Sequence, residues 1–120
     1  MNALSQRIKE DGPILCEKID AVFLFEINER KGGNLRKWTV DLKNKPGFCK
    51  EGEHGDFDCT MVMSDIDFIN IANKTANPQM IFMLGNMKIK GTLAKALKFT
   101  PDLFPPPLDL TDLFPENKTH

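Results

Sequence analysis

The chain has few cysteines, no long apolar run and almost no net charge, and each shortage excludes a class of protein. Cys16, Cys49 and Cys59 are odd in number and irregular in spacing, so a reducing compartment is predicted rather than a disulfide framework. No stretch approaches the roughly 18 consecutive apolar residues of a membrane span. The N-terminus also has no apolar signal segment. The sequence therefore predicts a soluble, intracellular protein.

Charge and length set further limits. The 120 residues allow one domain, and a net charge of −1 provides no overall field that would favour nucleic acid or an anionic membrane. A local cluster of lysines lies at positions 88, 90, 95 and 98. Two interpretations stay open for it: the solvated faces of a strand and a helix, or a basic lip for lipid headgroups or a coenzyme A phosphate.

The side chains that could carry catalysis are poorly arranged for it. Cys49, His54 and Cys59 are spaced unlike a structural zinc site, which prefers four closely paired ligands. Asp65 and Asp67 stand at a predicted helix start, where carboxylates interact favourably with the helix dipole. Phosphate loops and dinucleotide fingerprints are absent from the sequence. We therefore predict a non-enzymatic protein with no metal site and no cofactor.

The stretch from residue 77 to residue 91 is the most informative part of the chain. Asn77 can cap a helix, and Pro78 suits its first position. The apolar run 80–84 covers every side of that short helix, and Gly85 closes it. Such a helix must be buried on more than one face, by protein or by another apolar partner.

Hydrophobic periodicity predicts an α/β (α+β) domain with helices on one side of a single sheet. We expect the second strand to be solvated on one face and the first hairpin to be antiparallel. The helical link between strands four and five would permit these two strands to pair in parallel. Helices are predicted over 3–11, 13–19, 66–72, 78–84 and 92–99, and strands over 21–29, 37–43, a short segment from Phe48, 59–63 and 88–91.

Methionines are concentrated in the same half of the chain, at 61, 63, 80, 83 and 87. Thioether side chains adapt their shape and suit surfaces that accept varied apolar partners, although they also fill ordinary cores. Together with the all-round apolar helix, they favour an internal apolar cavity.

The last twenty residues follow another pattern. Asp102-Leu103-Phe104-Pro105 recurs as Asp112-Leu113-Phe114-Pro115, around three consecutive prolines. Three interpretations stay open: a tail packed on or across the domain, a lid over a cavity mouth, or a docking motif for another protein. The chain ends in Lys118-Thr119-His120 rather than a Ser-Lys-Leu-type peroxisomal signal.

The order of these segments resembles the sterol carrier protein 2 family over roughly residues 8–99. The resemblance is carried by Asn77-Pro78-Gln79 with its apolar helix, by 85–91 and 93–98, and upstream by 18–27, 38–44 and 59–68. It implies a five-stranded mixed sheet, an apolar tunnel between sheet and helices, and binding of fatty acids, acyl-CoA, sterols or similar lipids. Residues 1–100 would form this lipid-binding domain, with 101–120 as the proline-rich tail.

We therefore predict intracellular, non-enzymatic binding and transfer of lipids, with a lipid ligand and transient membrane contact as partners. The location would be cytoplasmic or, as the resemblance implies, peroxisomal. The alternative is a protein-interaction module whose apolar groove docks Asp-Leu-Phe-Pro segments. Gln79, from the Asn-Pro-Gln motif, is expected either to orient a headgroup or simply to provide polarity in the first turns of its helix. The predicted lipid-contacting residues are Phe25, Trp38, Met61, Met63, Phe68, Ile71, Gln79, Met80, Phe82, Met83, Met87 and Ile89.

Overall fold

A computed structural model of the chain describes residues 2–30 and 33–99. The described residues form four helices and five strands. They are α1 (Asn2–Ile19), β1 (Ala21–Asn28), β2 (Leu35–Leu42), β3 (Phe48–Glu51), β4 (Cys59–Ser64), α2 (Asp65–Ala72), α3 (Pro78–Met83), β5 (Lys88–Gly91) and α4 (Leu93–Ala96). The strand and helix order predicted from the sequence is confirmed after residue 20. The predicted tail, 101–120, lies outside the described residues, and so does the proposed boundary after residue 100.

The strands form one mixed sheet in the order β3-β2-β1-β4-β5. The hairpin β1–β2 is antiparallel, as predicted. The parallel pair is β1–β4, whereas β4–β5 is antiparallel. The parallel pairing that the helical link between strands four and five would permit is not formed, because such a link allows a crossover without imposing one.

One face of the sheet carries most of the core. The register sets Phe25 opposite Trp38 on β2 and Met61 on β4, and Met61 opposite Ile89 on β5. Because side chains alternate along a strand, these residues share one face. Buried side chains of all four helices pack with that face in a single hydrophobic cluster.

The N-terminal segment forms one helix, not the two that Gly12-Pro13 predicted. Proline inside a helix removes a hydrogen bond and costs about 3 kcal/mol. Here both halves of α1 bury apolar residues in the same cluster, Leu4 and Ile8 before Pro13, Leu15 and Ile19 after it. This shared packing keeps the helix continuous.

The second strand is not solvated on one face as predicted. Thr39 and Asp41 are buried because their polar atoms have partners. The Thr39 hydroxyl donates to the Gly52 carbonyl over 2.7 Å and accepts from the His54 N–H over 3.0 Å. An Asp41 carboxylate oxygen accepts from the backbone N–H groups of Lys43 and Asn44. Polar residues are tolerated at these two positions because their side chains are hydrogen-bonded within the protein, not because they contact water.

Candidate functional site

A cavity of about 760 Å³ lies between the β4–β5 side of the sheet and the helices α3 and α4. The lining includes the loop after α2, helix α3, which begins at the Asn-Pro-Gln motif, and helix α4. The lining residues are Met61, Lys74, Thr75, Ala76, Asn77, Pro78, Gln79, Phe82, Met83, Met87, Ile89, Leu93, Ala96, Leu97 and Phe99.

The floor of the cavity is formed by the sheet. Met61 and Ile89 are register partners on β4 and β5 and lie side by side on the core face. Met87, just before β5, is also buried. Thus the strand pairing brings together residues that are distant in sequence.

Phe99 connects the cavity to the core behind it. Its ring centroid lies 5.1 Å from that of Phe25, 6.3 Å from Phe23 and 6.5 Å from Phe68. The contacts with Phe23 and Phe25 are edge-to-face and the contact with Phe68 is stacked, and such contacts are favourable beyond their buried area. Phe99 therefore forms an aromatic inner wall of the cavity that packs against the core.

Helix α3 forms a second wall and begins as predicted. The Asn77 side chain accepts a hydrogen bond from the Gln79 N–H over 2.8 Å, and Pro78 occupies the first turn. Burial of α3 on several faces, by protein or by another apolar partner, is not provided by the described chain alone. Only Ile81 is buried, whereas Met83 and Leu84 are 78% and 68% exposed. An apolar helix in contact with water is available to another apolar partner.

Helix α4 closes the other side. Leu93, Ala96 and Leu97 line the cavity, at the spacing that sets residues on one helix face. The Lys95 ammonium donates to the backbone carbonyl of Asp20 and lies 3.4 Å from its carboxylate. This contact attaches α4 to the α1–β1 junction.

Polar groups of the cavity are concentrated on one side. Lys74 and Thr75 belong to a loop held by the Asn70 carbonyl, which accepts from the N–H groups of Thr75 and Ala76. Gln79 lies next to this loop on α3. No aspartate or glutamate lines the cavity within 2–30 and 33–99. The site can therefore offer a cation and an amide to an anionic group while the remaining walls are apolar.

The structure brings together only part of the predicted set of lipid-contacting residues. Those in the lining are Met61, Gln79, Phe82, Met83, Met87 and Ile89. Those outside it are Phe25, Trp38, Met63, Phe68, Ile71 and Met80. All of the second group except Met80 are buried in the protein core, and Met80 is exposed on α3. These buried side chains pack against other core residues instead of lining the cavity.

Sequence reasoning missed the cation at the cavity. Lys88 and Lys90 alternate with Ile89 along β5, so they lie on the face of the sheet opposite the cavity. Lys95 is in contact with Asp20. The lining cation is Lys74, which has a left-handed backbone conformation with φ of 65°. Its signal in the sequence was weak, a single lysine in a polar loop.

The cysteines do not converge with His54. Cys49 lies on β3 and Cys59 on β4, and two strands separate them, so about 14 Å of sheet lies between them. Burial raises the pKa of both thiols, and that of Cys59 reaches about 11 with a contribution from the Asp58 charge. Within the described ranges, no cluster of histidine, cysteine and acidic side chains could hold a metal ion.

Comparison with known proteins places this fold and cavity in context. The profile of the SCP-2 sterol transfer family matches residues 1–103. The chain belongs to the SCP-2 sterol transfer family. Its resemblance to sterol carrier protein 2 is thereby confirmed, as is the five-stranded mixed sheet.

Two curated relatives show different extents of overlap. Sterol carrier protein 2 of Arabidopsis thaliana is 39% identical over 112 residues, covering 92% of this chain and 91% of the relative. Sterol carrier protein 2 of Homo sapiens is 33% identical over 95 residues, covering 79% of this chain but only 17% of the human protein. The family domain thus occurs both as most of a protein and as a small part of one.

Two solved structures share the fold. Apo sterol carrier protein 2 of Yarrowia lipolytica has a TM-score of 0.72 and 28% identity, with 79% of each chain covered. Palmitated SCP2L2 of Aedes aegypti has a TM-score of 0.60 and 25% identity, covering 79% of this chain and 84% of that one. Within the described part of this chain, no helix has both the length and the apolarity needed to cross a bilayer.

Proposed function

We propose that this protein binds one lipid molecule in the cavity and transfers it between membranes without chemical change. The apolar wall formed by α3, α4 and the β4–β5 face is the observation that carries the proposal. A volume of about 760 Å³ is within the usual range for small-molecule sites, about 300–1,000 Å³. Transfer implies transient contact with the donor and acceptor membranes.

The energetics support binding by the acyl chain alone. Burying about 15 methylenes at about 0.8 kcal/mol each contributes about 12 kcal/mol. Association and ordering costs are about 4–15 kcal/mol. At the lower costs, affinity is about micromolar and does not require an ion pair, so fatty acids, acyl-CoA and sterols are all candidate ligands.

The polar side of the cavity gives the lipid an orientation. Lys74, Thr75 and Gln79 would face the carboxylate or headgroup, and Met61, Met87, Ile89 and Phe99 would contact the chain. The Aedes aegypti structure with palmitate supports a fatty acid as a ligand class for this fold. Headgroup selectivity should be low because the polar groups are few.

The direct test is mass spectrometry of organic extracts from purified protein, followed by titration of delipidated protein with palmitate. Trp38 is buried outside the cavity lining, with the Arg36 guanidinium 5.1 Å above its ring. We therefore expect its emission to stay nearly constant. A Phe82→Trp variant places a reporter in the wall at a partly exposed position. Its emission should change and saturate with palmitate.

The control is the wild-type protein, whose tryptophan lies two strands from Met61. A flat titration of Phe82→Trp, with no displacement of a fluorescent fatty acid, contradicts the proposal. Absence of lipid together with concentration-dependent self-association favours the interaction module instead, with α3 as its exposed apolar surface.

A further inference from the structure

Exposed apolar side chains surround the mouth of the cavity. We call this surface the apolar rim: Met80, Phe82, Met83, Leu84, Leu93 and Leu97. Four of these residues also line the cavity, and Met80 and Leu84 lie on α3 and at its C-terminal end. Elsewhere in the described part of the chain, the large apolar side chains that are exposed are Ile14 and Leu35. A contiguous apolar surface of this kind normally has an apolar partner.

The described chain reaches its last residue at this same site. Phe99 lines the cavity and packs against the rings of the core, and Leu97, two residues earlier, belongs to the apolar rim. About 20 residues follow Phe99 in the sequence, and an extended segment of that length spans about 70 Å. The longest dimension of the structure is 39 Å. The segment after Phe99 therefore starts beside the apolar rim and is long enough to cross all of it.

The composition of that segment matches the surface beside which it starts. Residues 101–120 contain six leucines and phenylalanines, four of which form the Leu-Phe pairs of the repeated Asp-Leu-Phe-Pro sequence. They also contain four acidic residues and one lysine. Residues 68–99 contain no aspartate or glutamate, whereas Lys74 lines the cavity and Lys98 is exposed directly after Leu97. The tail thus offers apolar side chains to an apolar surface and carboxylates to the lysines beside it.

We propose that the segment 102–116 of this chain binds on its own apolar rim in the lipid-free protein. In this arrangement the Leu-Phe pairs pack against the apolar rim, and neighbouring carboxylates lie near Lys74 and Lys98. Attachment to the domain favours this segment over a second copy of the chain, because a short tether gives an effective concentration of the order of millimolar. The inference goes beyond the proposed carrier function and does not depend on it.

The test is NMR of the full, delipidated chain with ¹³C-labelled methionine methyl groups. Met80 and Met83 report on the apolar rim, and Met63, which is buried in the core, reports on the fold. Phe104→Ser combined with Phe114→Ser removes both aromatic rings from the tail. We expect the methyl resonances of Met80 and Met83 to move to the positions of solvent-exposed methionine, while the Met63 resonance stays in place.

The matched control is Ile14→Ser, at 66% exposure on α1, which should leave the methyl resonances of the apolar rim unchanged. A peptide of residues 101–116, added to the double variant at about millimolar concentration, should restore the wild-type positions. Unchanged resonances of the apolar rim in the double variant overturn the inference. Wild-type resonances of the apolar rim that move on dilution also overturn it, since a second copy then supplies the bound segment.

Carbodiimide cross-linking of the wild-type protein needs no substitution and decides the question should Met63 also move in the double variant. It should join Lys74 to one of the tail carboxylates at positions 109, 112 and 116 within a monomer. Lys9, exposed on α1, is the control, because α1 contacts β2 and β3. Absence of Lys74 cross-links, or equal cross-linking of Lys9, contradicts tail binding. Failure of the wild type to bind palmitate refutes the carrier function instead, and the methyl resonances still report on the tail.

Discussion

Helices α1 and α3 are both rich in apolar residues, but α1 buries most of its large apolar side chains whereas α3 buries one. Leu4, Ile8, Leu15 and Ile19 of α1 are all buried. On α3 only Ile81 is, and the neighbouring Met83 is 78% exposed. The comparison shows that apolar periodicity predicts a helix and its need for a partner, but not whether the chain itself provides that partner.

The backbone of α1 is also more closely packed against its surroundings than the backbone after α3. A Cβ atom added at Gly12 on α1 would lie 2.0 Å from the Pro46 carbonyl oxygen, so helix and loop touch directly. A Cβ atom added at Gly85, after α3, would meet nothing within 4 Å. One end of the domain is closely packed, and the other leaves space for a ligand.

The largest effect should come from removing an aromatic ring from the packed region. Phe25 is 1% exposed and contacts the rings of Phe23, Phe68 and Phe99. Phe25→Ala should lower the free energy of unfolding by about 3–5 kcal/mol, because it leaves a cavity as well as losing buried area. The matched change Phe82→Ala, in the open region, should cost about 1 kcal/mol or less. Urea unfolding measures both, and equal losses would contradict the distinction between the regions.

The two glycines provide the next comparison. Gly12→Ala introduces a methyl group against a backbone carbonyl and should destabilise by about 1–3 kcal/mol through displacement of α1. Gly85→Ala meets no atom, and only its φ of +83° opposes alanine, at a cost of about 1 kcal/mol. Thermal unfolding of both variants tests this order. A reversed order would mean that α1 adjusts easily to the loop.

A bulky residue in the cavity wall should affect binding rather than stability. Met83→Trp projects a larger side chain from an exposed position that lines the cavity. We expect palmitate affinity to fall by about tenfold while the unfolding free energy changes by about 0.5 kcal/mol or less. Competition with a fluorescent fatty acid gives the affinity. A large loss of stability with unchanged affinity would exclude Met83 from the binding surface.

The smallest effect concerns the buried thiols and appears only in alkali. Burial raises the pKa of Cys59 from 9.0 to about 11, so the folded state retains a proton that the unfolded state has lost between these values. The stabilisation is present below pH 9 and is lost as pH rises toward 11. Cys59→Ala should therefore show a shallower decline in unfolding free energy over this window. Identical pH profiles for the variant and wild type would show that Cys59 does not cause the decline in unfolding free energy.

Much of the fold could be predicted because local signals and tertiary contacts agree. Alternating apolar residues located β1 and β4, and the helix start predicted at Asp65 and Asp67 is confirmed, with Ser64 capping α2 by accepting a hydrogen bond from the Asp67 N–H. The continuity of α1 could not be predicted, since packing on both sides of Pro13 outweighs a local penalty. The parallel β1–β4 pairing was also inaccessible, because β2 and β3 lie between these two strands in the sequence.

The candidate site was predicted in part for a similar reason. The Asn-Pro-Gln helix and Met61 could be selected by motif and composition. Core residues such as Phe68 have the same composition as cavity residues, and only their packing against rings such as Phe25 distinguishes them. Lys74 and Phe99 were missed because the tertiary fold, and not a local sequence pattern, places them at the cavity.

The edges of the sheet have a further consequence for a protein with so much exposed apolar surface. Both edge strands, β3 and β5, are only four residues long, and they carry Lys50, Lys88 and Lys90 at exposed positions. Short, charged edges oppose strand-to-strand polymerisation between molecules. Intermolecular contacts at the apolar opening therefore find no long, uncharged strand edge in the described chain along which they could extend.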